Sequence, residues 1–410
     1  MSTDLLWQGF SFYGHFFPFG KTFPVGVLPK KRVMYCIMGR KVWISAATVF
    51  TGFVTGVIGP GYLFLFRNFP WPEDNRSVTL LVLMFGGICE TVSALLYLFI
   101  WLNPSATVKG FNNIVRIEEL MKAEITRPPK NGADPLGHIV SKFVLFMSGF
   151  YYIASLFLVL NNFDSSYFVL REIARSQNFQ ISGQLSILMS LLSYILRFIV
   201  VASCTFEFSR IVCLLVTIFA IQLEVVSSGL DQFHGMRGKL TSSRGNVKLR
   251  SLYVGLGIGI GFTSRVQGPT TATLMALAHM LAAVCTIAMI RMWDIIPMPL
   301  YLIFPTIAIC VPTFVLTLLP RACNCYETSA KLLRTWRDVT AWDDGVKRGQ
   351  FGGRGTFGSR ERVRTTAALR PYKLYASVAG VTLYVLKKST KTTFLYSCMD
   401  TTVNGLVSFK

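Results

Sequence analysis

Long apolar runs, each closed by charge, Pro or polar loop residues, set the pattern of this chain. Five of them, 42–66, 78–102, 139–161, 270–290 and 298–319, reach the roughly 20 residues that carry a helix across about 30 Å of hydrocarbon. Trp43 and Trp101 stand at run ends, where interfacial aromatics belong. The stretch 185–226 is longer, and as one helix it would be about 63 Å, twice the hydrocarbon thickness. It is either two spans or one overlong helix. Between Gly183 and Gly229 there is neither Gly nor Pro to turn an antiparallel pair, so one long fourth helix is expected, crossing the bilayer and continuing into water. Arg197, Glu207 and Arg210 suit that watery extension, with Glu207 and Arg210 three apart on one face. The last run, 392–409, is short and holds Asp400, so hydropathy alone does not make it a span.

Composition strengthens the membrane reading. The 410 residues are 52% hydrophobic and 15% charged, with mean hydropathy +0.49. A soluble domain carries about 25% charged residues, so an ordinary cytosolic enzyme is excluded. Nine scattered cysteines make no disulfide framework. His15, His138, His234 and His279 match no metal or triad spacing, so no cofactor, metal or catalytic site is expected.

Charge then orients the chain. There are 41 Lys+Arg against 20 Asp+Glu, a net +21. With seven spans and the N-terminus inside, 32 of the basic residues fall in cytoplasmic segments and 5 in outer ones, as cytoplasmic loops require. Splitting the long helix would put the 15 basic residues of 319–391 outside, so parity also favours one helix. The sequon Asn75-Arg76-Ser77 falls in an outer loop. The expected architecture is an all-α membrane protein with seven transmembrane helices, N-terminus cytoplasmic and C-terminus outside. Its parts are a cytosolic segment 1–41, a six-helix region 42–319, a basic cytosolic loop and anchor 320–391, and a seventh helix 392–410. The first 41 residues lack the unbroken apolar core of a signal peptide, so the first span is expected to serve as targeting signal.

Several soluble features invite other readings. The Gly- and Arg-rich 345–364 could stack on single-stranded RNA, but a basic loop facing anionic lipid heads is the better reading, with no nucleic acid partner. Gly255, Gly257, Gly259 and Gly261 lack the preceding strand, spacing and acidic residue of a dinucleotide site, and read as a face where backbones approach closely. Residues 326–337 make an amphipathic helix with Leu332, Leu333 and Trp336 on one side, suited to packing on cytosolic helices. Cys323 and Cys325 are candidates for palmitoylation or plain burial.

Ionisable groups inside a bilayer are functional candidates because burying them costs free energy. Glu90 is central in the second run, among Gly86, Gly87 and Cys89, and either pairs with Arg197, stays protonated, or contacts a substrate or ion. Asp400 has Ser397, Thr401 and Asn404 at −3, +1 and +4, so one helix face is polar. A polar face must look at protein or water, and copies around an axis would place a carboxylate ring that attracts cations. A buried, hydrogen-bonded Asp400 without a transport role is the other reading.

The last run also carries a resemblance. Thr401-Thr402-Val403-Asn404-Gly405-Leu406-Val407-Ser408-Phe409 is similar to the last-helix signature of the insect chemoreceptor superfamily, gustatory receptors in particular and odorant receptors more distantly. That signature is Thr-Tyr, five mostly apolar residues, then Gln-Phe; Thr401 and Phe409 match, Thr402 and Ser408 depart. Looser likeness runs from Leu252-Tyr253 through the fifth span and from Leu319-Pro320 through Trp336-Arg337, so 250–410 carries it. The resemblance implies a tetrameric, ligand-gated, non-selective cation channel of the plasma membrane with a role in taste. Cytosolic ends of helices four to seven would form a shared anchor, and four seventh helices would line the pore with Asp400, Thr401, Asn404 and Ser408. It also implies a ligand pocket in the outer half of each bundle, where Tyr151, Tyr152, Tyr194 and Tyr301 are the matching aromatics. The implied partners are membrane lipid, a small apolar or sugar-like ligand, monovalent and divalent cations, and the other subunits of a homo- or hetero-tetramer. The alternatives are a secondary transporter coupled through Glu90 and Asp400, against which stands the lack of an internal repeat, and a non-conducting accessory subunit.

Overall fold

The computed structural model describes residues 4–17, 22–66, 76–124, 134–176, 184–236, 242–296, 298–350, 357–378 and 381–408. Asn75 of the sequon, Phe409 of the signature and 351–356 of the Gly/Arg-rich loop lie outside them. The described residues are mostly helical, with two short hairpins.

The N-terminal segment forms α1 (Asp4–Phe16), then a hairpin of β1 (Val25–Leu28) and β2 (Val33–Cys36). The first apolar run forms α2 (Val42–Phe53), a π-helical turn (Val54–Ile58) and α3 (Gly59–Phe66). Pro60 explains the wide turn: its ring has no N–H to donate and crowds the carbonyl four residues back. The second run is α4 (Arg76–Leu102), which stops at Asn103 before Pro104 opens α5 (Pro104–Glu124). The third is α6 (Pro135–Leu160), capped by Asp134, whose carboxylate accepts from Gly137 N at 2.9 Å. A short α7 (Ser165–Ser176) follows.

The Gly- and Pro-free stretch forms a single 52-residue helix, α8 (Gln184–Gly235), about 78 Å long. Two further long helices follow, α9 (Ser243–Arg291, 49 residues) and α11 (Ile303–Gln350, 48 residues), joined by the short α10 (Met298–Tyr301). After α12 (Phe357–Ala367), a hairpin of β3 (Tyr375–Val378) and β4 (Val381–Val385), with a bulge at Ala376/Ser377, leads into α13 (Lys388–Ser408). Among the described residues, six helical stretches are long and apolar enough to cross a membrane: Val42–Phe66, Val78–Leu102, Pro135–Ile173, Met189–Gly235, Gly245–Arg291 and Ile303–Trp342. The 21-residue α13 is long enough but not apolar enough to count among them.

The core forms around the second half of α8, whose many apolar residues are spread around the helix and largely buried. Helices α1, α2, α4, α5, α6 and α11 pack on α8. The N-terminal part of α9 and the C-terminal part of α11 extend this core: Phe233, Tyr253 and Trp336 meet with ring centroids 5.6–6.0 Å apart. Leu332, Leu333 and Trp336 are thus the packing face expected of 326–337, though this segment is part of α11 and not a separate helix. The glycine row of α9 is a close approach. Asn113 donates to Gly255 O at 3.3 Å, and Ile114 and Ile117 of α5 lie where side chains on Gly259 and Gly255 would go. Cys323 and Cys325 are buried. Trp43 and Trp101 remain exposed and pack edge to face at 5.6 Å, and Phe50, Phe64, Leu145, Ile153, Leu196 and Ile309 give the bundle an apolar exterior.

In the described part of the N-terminal segment, Leu6, Trp7, Phe10 and Tyr13 bury α1 against α6 and α8, and Asn112 of α5 pins β2 by donating to Met34 O and accepting from Met34 N, each at 2.9 Å. The inner segment after the second span is largely α5. One expectation needs correction: the three charges of α8 do not face water, since Arg197, Glu207 and Arg210 are 3%, 5% and 0% exposed. Burying them is possible because each is paired. Arg210 donates to Glu207 at 2.6 Å, to Ser45 of α2 at 2.6 Å and to Thr22 at 2.9 Å, and Ser45 donates to Glu207 at 3.0 Å. The expected Glu207–Arg210 pair is present, as a tie between α8, α2 and the N-terminal segment.

Candidate ligand cavity and pore helix

A cavity of about 340 Å³ lies within the bundle, bounded by α2, the π-helical turn, α4, α6, α8, α9 and α11. Its size is that of a small-molecule site. Phenylalanines, leucines and valines supply most of the wall, including Phe85, Phe146, Phe150 and Phe304. Two carboxylates are on the lining, Glu90 and Asp164.

Asp164 is committed. It caps α7, accepting from Tyr167 N at 2.9 Å, and it accepts from Arg197 Nε at 3.1 Å, with a second bond from Arg197 Nη2. Arg197 is completed by Asn162 Oδ1 at 2.9 Å and Val159 O at 3.3 Å, and its guanidinium lies 4.8 Å and 5.1 Å from the ring centroids of Tyr167 and Tyr194. Arg197 therefore pairs with Asp164, not with Glu90. The sequence signal for this partner was Asn161-Asn162-Phe163-Asp164-Ser165-Ser166, a turn followed by a helix cap; Asn162 adopts a left-handed φ of 56° there.

Glu90 stands elsewhere on the wall, facing α2. Side-chain atoms at Gly52 and Gly56 would collide with it, so the two glycines, one helical turn apart, are what admits the carboxylate between α2 and α8. Cys204 of α8 lies on the same wall.

The four tyrosines do not gather at this cavity. Tyr151 is buried against Phe17 and Phe206, Tyr152 is exposed beside it, Tyr194 stacks on Arg197, and Tyr301 donates to Met289 O at 3.1 Å. None lines the cavity, because each has its ring or hydroxyl engaged elsewhere or turned outward. The phenylalanines that do line it were inconspicuous in sequence, where 33 of them are scattered along the chain.

Helix α13 lies along α9 and touches α11, and none of its residues is buried. Gly405 admits Ile287, Thr401 hydrogen-bonds His279 Nε2 at 2.9 Å, and Cys398 Sγ lies 3.3 Å from His279 Nδ1. The Phe394 ring meets His279, and Arg291 donates to Leu406 O at 3.1 Å, favourably placed at the C-terminal end of the helix. Phe394 and Leu406 are as far apart in sequence as His279 and Arg291, so the two helices run parallel over the same length. Asp400, Asn404 and Ser408 follow one another at four-residue steps on the exposed arc, with Asn404 donating to Asp400 at 3.3 Å. Thr401 sits at the edge of that arc, bonded to His279.

No protein-family model matches the chain, and no curated protein does. Solved structures do. A structure of the insect olfactory receptor OR5 from Machilis hrabei in complex with eugenol superposes with a TM-score of 0.55 at 11% identity, covering 100% of both chains. A second OR5 structure gives 0.60 at 9% identity over 97% of both. The chain shares the fold of these insect olfactory receptor structures, and its long apolar helices are those of a multi-pass membrane protein.

Proposed function

We propose that this chain is a subunit of a ligand-gated, non-selective cation channel with a chemosensory role, a tetramer in the plasma membrane whose four copies of α13 surround the pore. The observation that carries this is the polar arc of α13: Asp400, Asn404 and Ser408 stay exposed on a helix packed against the rest of the chain on one side. Lipid does not accept such an arc, whereas water at an axis between subunits does. The parallel run beside the outer part of α9 supports α13 as a seventh span, and the basic excess of the inner segments supports an inside N-terminus and outside C-terminus. Thr401 acts at the edge of the pore face, holding α13 to His279.

The cavity is the ligand site in this reading. Its phenylalanine-rich wall favours a small, largely apolar molecule over a sugar, and the eugenol held by OR5 supports the same size and character. Ligand favours the open pore by the difference between its affinities for the two states.

Single-particle images of the protein in nanodiscs test the assembly: four-fold particles with a helix at the axis are expected, and monomers or two-fold dimers would refute a self-sufficient channel and leave a transporter or an accessory subunit. Asp400→Asn is expected to reduce preference for divalent over monovalent cations in bi-ionic reversal potentials. Unchanged potentials would remove Asp400 from the pore.

A further inference from the structure

We propose that the cavity selects amines: an apolar body carrying a protonated amino group that pairs with Glu90. The inference rests on the reading of the cavity as the ligand site and goes beyond it by naming the chemical class. Of the two carboxylates on the wall, Asp164 has its charge matched by Arg197. Glu90 has no ion pair or hydrogen bond among the described residues, and apolar side chains and glycines make up most of its surroundings.

A carboxylate without a partner in an apolar site is unfavourable in its charged form, and an ammonium brings both the opposite charge and three donors. A neutral alcohol brings no charge, and an anion is repelled. The wall is built to receive the approach. Gly86 faces open space one turn before Glu90, and Gly52 and Gly56 keep the opposing helix back from the carboxylate. The aromatic rings of the lining suit a cation as well as an apolar body, since a ring face attracts positive charge. Maintaining Glu90 in the middle of a span would be costly for packing alone, whereas a recognition role gives the unpaired group a purpose.

The test uses the full chain in nanodiscs at neutral pH and matched probes: 2-phenylethylamine and 2-phenylethanol, read by equilibrium binding and by ligand-induced thermal stabilisation. The amine is expected to bind about 10- to 100-fold more tightly than the alcohol, the range of one charge-assisted hydrogen bond. Glu90→Gln should abolish that advantage, with the ligand-free unfolding temperature reporting whether the variant is folded. Should that variant fail to fold, Gly52→Ala, whose methyl displaces the carboxylate, is expected to cut the amine advantage in the same direction. An alcohol binding as well as the amine to the wild type, or an advantage surviving both substitutions, would overturn the inference. Binding of neither probe would overturn it together with the cavity as ligand site. Because the readout needs no current, none of these outcomes depends on conduction, and the pore reading of α13 is decided separately by reversal potentials.

Discussion

Replacing Asp164 isolates a deeply buried ion pair. Arg197 is 3% exposed, and Asp164 is its one ionic partner among the described residues; the remaining bonds go to the neutral Asn162 Oδ1 and Val159 O. Breaking a buried pair by removing one partner costs about 3–5 kcal/mol, because the surviving charge stays desolvated. Asp164 also caps α7, and the two roles separate by choice of substitution. Asn caps a helix about as well as Asp, so Asp164→Asn removes the charge and keeps the cap, while Asp164→Ala removes both and adds about 1 kcal/mol. The two bonds of Arg197 that do not involve Asp164, to Asn162 Oδ1 and Val159 O, persist in either variant, and the Tyr167 and Tyr194 rings still flank the guanidinium, so the loss for Asp164→Asn should fall at the lower end, about 3 kcal/mol. The double change Arg197→Met with Asp164→Asn should recover most of this, since an uncharged pair of similar volume carries no desolvation penalty. Reversible unfolding of the nanodisc or bicelle protein, followed by steric trapping across the four-member mutant cycle, gives the coupling directly. A coupling energy below about 1 kcal/mol, or an Asp164→Asn as stable as the wild type, would refute the pairing as a stabilising element.

Other consequences can be checked in parallel. Gly259→Ala and Gly261→Ala are expected to have opposite signs: a methyl on Gly259 would lie 2.8 Å from buried Ile114 and should cost about 1–3 kcal/mol of stability. The same methyl on Gly261 meets open space and should gain up to about 1 kcal/mol from helix propensity; equal effects in thermal unfolding would refute the close α5–α9 approach. Tyr372, buried in the segment before β3 and stacked 4.4 Å from Tyr253, donates its hydroxyl to Tyr253 O at 2.7 Å. Burial first, and then Tyr253, push its hydroxyl well above the ordinary value near 10. The folded state therefore resists deprotonation that the unfolded chain undergoes, so the contribution is fully present below about pH 10 and is lost as pH rises through and beyond it. Tyr372→Phe should flatten the alkaline arm of the stability curve, and an unchanged arm would show that the hydroxyl is not protected.

The sequence by itself determined the membrane class, because apolar length and charge asymmetry are properties of segments and need no partner to be read. It also determined that 185–226 is one helix, since no residue there can turn the chain, and that Glu207 and Arg210 pair, since three residues of helix fix their separation. The packing role of Leu332, Leu333 and Trp336 was legible for the same reason: their spacing puts them on one face. What only the tertiary structure decided were matters of which segment meets which. Arg197 finds Asp164, 33 residues away across a turn, and not the equally plausible Glu90; α1 and its hairpin enter the core; and the cavity wall is assembled from phenylalanines on separate helices. Helix periodicity says which residues share a face, but a partner is chosen by where long helices cross, and that depends on the packing of the whole chain at once. Glu90 shows both halves: its sequence position marks a carboxylate within a span, and only the fold reveals the glycines that admit it and the absence of the arginine expected beside it.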